Sequence, residues 1–110
     1  MIVLETSALI AMILRETDAE RIAAVLASGG HVVISAVSRY EALIVLRGKN
    51  PPFDPVEAVD LTLAACSAEI VPFNADQSSL AFQAYARFGK GSGSPARLNL
   101  ADCAAYALAR

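Results

Sequence analysis

Three short, β-rich apolar runs punctuate the chain: Ile2–Leu4, the HVVIS stretch from His31 to Ser35, and the EIVPF stretch from Glu69 to Phe73. Two segments with helical periodicity separate each run from the next, so no two runs can be joined by a tight hairpin. Strands that return only after helical crossovers pair in parallel, with helices covering both faces of the sheet. The spacing therefore predicts an α/β fold with a parallel sheet, in the order β-α-α-β-α-α-β-α-α. Pro72 lacks a ladder donor, so the third strand is an edge or ends there.

Polar residues mark where the helices begin. Thr6 and Ser7 suit the cap of an apolar helix that runs to Leu14. Thr17-Asp18-Ala19-Glu20 has the spacing of a capping box and opens a helix through Leu26, which Gly29-Gly30 stops. Ser35 can cap Ala36–Leu46. Asp54-Pro55-Val56-Glu57 places Pro at the first helical position of a helix reaching about Ser67. Asn74-Ala75-Asp76-Gln77 opens a helix to about Phe88. Gly89 to Arg97 reads as a flexible loop, and Asn99 caps the last helix, Leu100–Arg110.

The length, 110 residues, suggests a single domain. With 55% hydrophobic residues the chain can bury a real core. The net charge of −2 and the lack of a basic tail weigh against a sequence-specific DNA binder. They leave room for an enzyme acting on nucleic acid, because a bound metal supplies local positive charge. Cys66 and Cys103 form no CxxC pair and read as small buried hydrophobes, which fits a reducing, cytoplasmic setting. No signal peptide or membrane-length apolar segment is evident. A sheet of three strands is small for so many helices, and the sequence looks cut short after the last one.

Three carboxylates stand out. Glu5 ends the first strand, Glu41 lies early in the third helix among apolar neighbours, and Asp102 lies in the first turn of the very apolar LNLADCAAYALA helix. Each also has an ordinary reading: a solvated turn for Glu5, a surface helix residue for Glu41, a capping carboxylate for Asp102. In a parallel sheet, however, strand ends and helix N-termini share one side of the molecule. Three carboxylates gathered there repel one another unless a cation or proton joins them. Hard cations such as Mg²⁺ take oxygen ligands, activate water and stabilise phosphodiester cleavage. The expectation is that Glu5, Glu41 and Asp102 converge closely enough to share one such ion, directly or through water.

MIVLETSAL, SAVSRYEAL and LNLADCAAYALA together resemble the three acidic motifs of PIN-domain ribonucleases, especially the VapC-type toxins of bacterial toxin–antitoxin pairs. The likeness spans residues 1–110 and implies a three-layer α/β/α domain. It implies an RNA endonuclease that depends on Mg²⁺ or Mn²⁺ and is inhibited by a VapB-type antitoxin. By position, Glu5, Glu41 and Asp102 match the catalytic acids, with Glu5 and Asp102 as metal ligands and Thr6 and Ser7 as supporting hydroxyls. Glu41 is expected to orient a water, with Ser7 hydrogen-bonding nearby. The resemblance and the apolar content also point to a homodimer.

The chain departs from the family pattern in two ways. Glu5 stands where the family normally has Asp, which moves the carboxylate by about one carbon–carbon bond, ~1.5 Å. The family usually continues past the last helix with further strands and a fourth acidic residue. An alternative function is therefore a catalytically weak or inactive PIN domain that binds antitoxin. A Ser–His–acid triad using His31 has no supporting spacing. Lys90, Arg97 and Arg39 are candidates for contact with substrate phosphates.

Overall fold

Three apolar residues in succession, Val32, Val33 and Ile34, need cover on both faces of a strand, and Val32–Ser35 is buried throughout. In the computed structural model, which describes residues 1–110, this run is the central strand β2. It pairs in parallel with β1 (Ile2–Val3) on one side and β3 (Glu69–Val71) on the other. The register sets Ile2 against Val32 and Ile34 against Ile70. β3 stops one residue short of Pro72, as the missing ladder donor requires.

Six helices surround this sheet: α1 (Thr6–Ile13), α2 (Ala19–Ala27), α3 (Ala36–Gly48), α4 (Pro55–Ala65), α5 (Ala75–Phe88) and α6 (Leu100–Ala109). Side chains alternate across a strand, so Val32 and Ile34 share one face of β2. They enter a core with Leu4, just past β1, and with Leu9, Ile10, Ala42, Leu46, Val59 and Leu63 of α1, α3 and α4. A second core joins Ala81 and Ala84 of α5 to Cys103 and Ala107 of α6. Small residues at Ala101, Ala104 and Ala105 let α6 lie close on β1 and β2. The result is the expected three-layer α/β/α arrangement around a parallel sheet.

Most caps form as their residues dictate. Ser35 Oγ accepts from the Val37 amide at 3.2 Å. Asp54 Oδ1 accepts from Val56 at 3.2 Å, with Pro55 opening the helix. Asn74 Oδ1 accepts from Gln77 at 2.9 Å.

Two starts differ from the sequence reading. The cap position of α1 is Glu5, not Thr6 or Ser7, and it makes no side-chain capping bond. Thr6 is already helical and donates its hydroxyl proton to the Ser38 carbonyl at 3.2 Å, tying α1 to α3. The Thr17–Glu20 capping box does not form. Asp18 precedes α2 with helical backbone angles (φ −87°, ψ −1°) rather than the extended ones a cap needs, and its carboxylate meets Arg21 at 3.5 Å.

α1 ends in a Schellman turn. Arg15 takes φ 53°, its amide bonds Met12 O, and the Glu16 amide bonds Ala11 O. His31 pairs across the sheet with Glu69 at 2.9 Å, consistent with its place at the start of a strand. The glycine-bearing loop is pinned at its ends, where Leu98 donates to Phe88 O and Lys90 to Leu98 O. No helix is long and apolar enough to cross a membrane.

Candidate active site

Parallel pairing brings the carboxyl ends of β1 and β2 to one edge, and α1 and α3 start directly from them. That edge forms an open cleft of about 410 Å³. Its walls come from three segments. The first contributes Glu5, Thr6, Ser7 and Ile10, with Glu16 just beyond the helix. The second is a single stripe of α3, Ser38, Glu41 and Val45, continued by Lys49 at its end. The spacing of three and then four residues between these positions keeps them on one helical face. The third is the start of α6, with Asn99, Ala101 and Asp102. Glu5, Glu41 and Asp102 are thus brought to one cleft, together with Thr6 and Ser7.

Asp102 has two roles at once. Its Oδ2 accepts from the Asn99 amide at 2.9 Å while Asn99 Oδ1 accepts from the Asp102 amide at 2.9 Å, a complete capping box. Capping and cleft-lining, alternatives in the sequence, coexist because a carboxylate has two oxygens and the cap uses one. Oδ1 has no partner within the chain. The helix N-terminus also favours the negative charge at this position. Next to it, burial and then the Asp102 charge push the Cys103 thiol up, which keeps it protonated and inert.

Two charged residues of the cleft escaped the sequence reading. Lys49 is the only cation lining it and belongs to no salt bridge. Extending the Glu41 face by two turns would have found it. Glu16 carries no such signal; the left-handed turn at Arg15 brings it there. The three cations suggested by sequence stand elsewhere. Arg39 is held by Asp60 through two 3.0 Å bonds, and neither Lys90 nor Arg97 lines the cleft.

The donors around the cleft are all oxygens, the ligand type of hard divalent cations. No three acidic, histidine or cysteine side chains are grouped so as to hold a metal ion.

Comparison with known proteins shows the family. The PIN domain description matches residues 2–110. The chain belongs to the PIN-domain family. The PIN domain is 41% identical over 109 residues to VapC ribonuclease Mb0625 of Mycobacterium bovis, covering 97% of this chain and 80% of that one. It is 38% identical over 108 residues to Ribonuclease VapC of Mycolicibacterium smegmatis, covering 98% and 82%. It is 33% identical over 108 residues to Ribonuclease VapC42 of Mycobacterium tuberculosis, again covering 98% and 82%. These relationships make it a VapC-type PIN domain.

The capping box gives a direct test. Asn99→Ala removes the acceptor for the Asp102 amide, so urea unfolding should show a stability loss of about 1 kcal/mol.

Proposed function

We propose that this protein is a metal-dependent RNA endonuclease, the toxin of a VapBC-type toxin–antitoxin pair. The observation that carries the reading is the meeting of Glu5, Glu41 and Asp102, from three distant segments, in one cleft of a VapC-type PIN domain. Glu5 and the free Oδ1 of Asp102 are the proposed ligands of a divalent cation, Mg²⁺ or Mn²⁺. When bound, that ion offsets the carboxylate charge, polarises the phosphodiester and strengthens water as a nucleophile. Glu41 is the proposed orienting group for the attacking water, accepting its hydrogen bond and drawing its proton away. Ser7, exposed at the rim, is the proposed hydrogen-bond partner of the same water or of the RNA. Lys49, at the far end of the α3 stripe, would hold a backbone phosphate beside the scissile one. No feature of the cleft favours the alternative of an inert antitoxin-binding domain.

The partners follow from the same reading: an RNA substrate, a VapB-type antitoxin, and a second copy of the chain, acting in the cytoplasm. Tyr40, Ile44, Phe82 and Leu100 are exposed apolar side chains, and covering them supports assembly. Sedimentation at micromolar concentration should show a dimer; a stable, well-folded monomer would count against it.

Cleavage of RNA by the purified protein with Mg²⁺ or Mn²⁺ tests the activity. Asp102→Asn should abolish cleavage with little loss of stability, because the amide oxygen still caps α6 while the ligand charge is gone. Glu5→Asp should raise the rate, since a carboxylate misplaced by about 1 Å can cost about a hundredfold. Unchanged activity in Asp102→Asn would refute the mechanism.

Lys49→Gln should weaken RNA binding at low salt. It should also flatten the plot of log affinity against log salt by about 0.7, the value for one contact to single-stranded phosphate.

A further inference from the structure

The cleft changes character along its length. Glu5 and Asp102 stand at the starts of α1 and α6, and Glu41 lies in the first half of α3. α1 and α3 run away from that edge, so Glu16 and Lys49, just past their ends, form the opposite end of the cleft. Between the two ends the lining is apolar, with Ile10 from α1 and Val45 from α3. Val45 is 37% exposed and lies about one helical turn, ~6 Å, from both Glu41 and Lys49. The Glu16 backbone is held from both sides: its amide donates to Ala11 O at 2.9 Å, and its carbonyl accepts from the Ala19 amide at 2.9 Å. The Glu16 carboxylate and the Lys49 ammonium belong to no salt bridge, with each other or with any other residue. Two fixed opposite charges and an apolar wall therefore open onto the same space.

These three chemistries match the three parts of a nucleotide: a flat base, the donors on its edge, and a phosphate. Glu16 repels phosphate and Lys49 attracts it, so the backbone goes to Lys49 and a base turns its edge to Glu16. Unpaired bases in single-stranded RNA present that edge freely. An ionised carboxylate only accepts hydrogen bonds, through two oxygens. Uracil offers one N–H flanked by two carbonyl oxygens, which a carboxylate repels. Adenine and cytosine offer an amino group beside an unprotonated ring nitrogen. Guanine offers two adjacent donors, N1–H and N2–H, that meet both carboxylate oxygens, and bonds to a charged acceptor are the stronger kind. We propose that Glu16 is a specificity-determining residue that reads a guanine next to the scissile phosphate, with the base resting on Val45 and Ile10. The inference rests on the endonuclease reading of the cleft and adds to it the base preference of the substrate.

The test maps cleavage sites on a pool of randomised single-stranded RNA, with Mg²⁺ or Mn²⁺, for wild type, Glu16→Gln and Glu16→Ala. Wild type should cut with guanine enriched at one fixed position next to the broken bond. Substrates carrying guanine, inosine or uracil at that position then give ratios of kcat/KM. The guanine-to-uracil ratio should fall about tenfold in both variants. Inosine lacks the N2 amino group, so wild type should cut it more slowly than guanine. Glu16→Ala should cut the two equally, because the lost bond needs that carboxylate. The melting temperature should stay level, since backbone bonds hold the turn. Variants that keep the wild-type base ratios would make Glu16 a plain surface charge and overturn the proposal, whatever their melting temperature. Equal cutting of guanine and inosine by wild type, which needs no variant, would overturn it as well, as would cutting without base preference. In each of these cases the endonuclease reading stands. A wild type that cleaves no RNA would overturn both.

Discussion

Burial of β2 on both faces is the constraint from which the rest of the architecture follows. Val32, Val33 and Ile34 have no polar side to offer water, so helices must cover the strand front and back. Helical crossovers of that kind make the pairing parallel, and parallel pairing sends every strand in the same direction. The carboxyl end of β1 and that of β2 therefore open onto one edge. α1 and α3 begin there because the chain has nowhere else to turn. The cleft is a product of sheet topology before any functional residue is placed in it.

Filling that edge with Glu5, Glu16, Glu41 and Asp102 concentrates negative charge in an open cleft. The fold tempers this locally. Glu5 occupies the cap position of α1, and Asp102 lies in the first turn of α6, where backbone amides favour a carboxylate. Asn99 holds one Asp102 oxygen through the capping box. Lys49 brings a positive charge to the far end of the α3 stripe.

The edges of legibility have physical causes. Cap chemistry was readable at Ser35, Asp54, Asn74 and Asn99, where the backbone before the helix is extended and the side chain caps it. It misled at Asp18, where a turn sets helical angles and withdraws the carboxylate to Arg21. It misled at Thr6, whose hydroxyl has a better partner 32 residues away than any amide of its own helix. Local pattern cannot rank a local hydrogen bond against a distant one.

The sequence by itself determined the class of fold and singled out three carboxylates that line one cleft. Apolar periodicity and strand spacing are local properties, and parallel topology then follows from chain connectivity. It also supplied the family, through three motifs around Glu5, Glu41 and Asp102. Only the tertiary structure decided which neighbours share the cleft with them. Glu16 enters through a left-handed turn at Arg15, and Lys49 through the extension of a stripe beyond the end of α3. Asp102 proved to be both cap and cleft residue, and Ser38 to be buried without a partner. Each of these depends on how separate segments meet. Burial and hydrogen-bond partners are set by packing, and packing is a property of the whole chain.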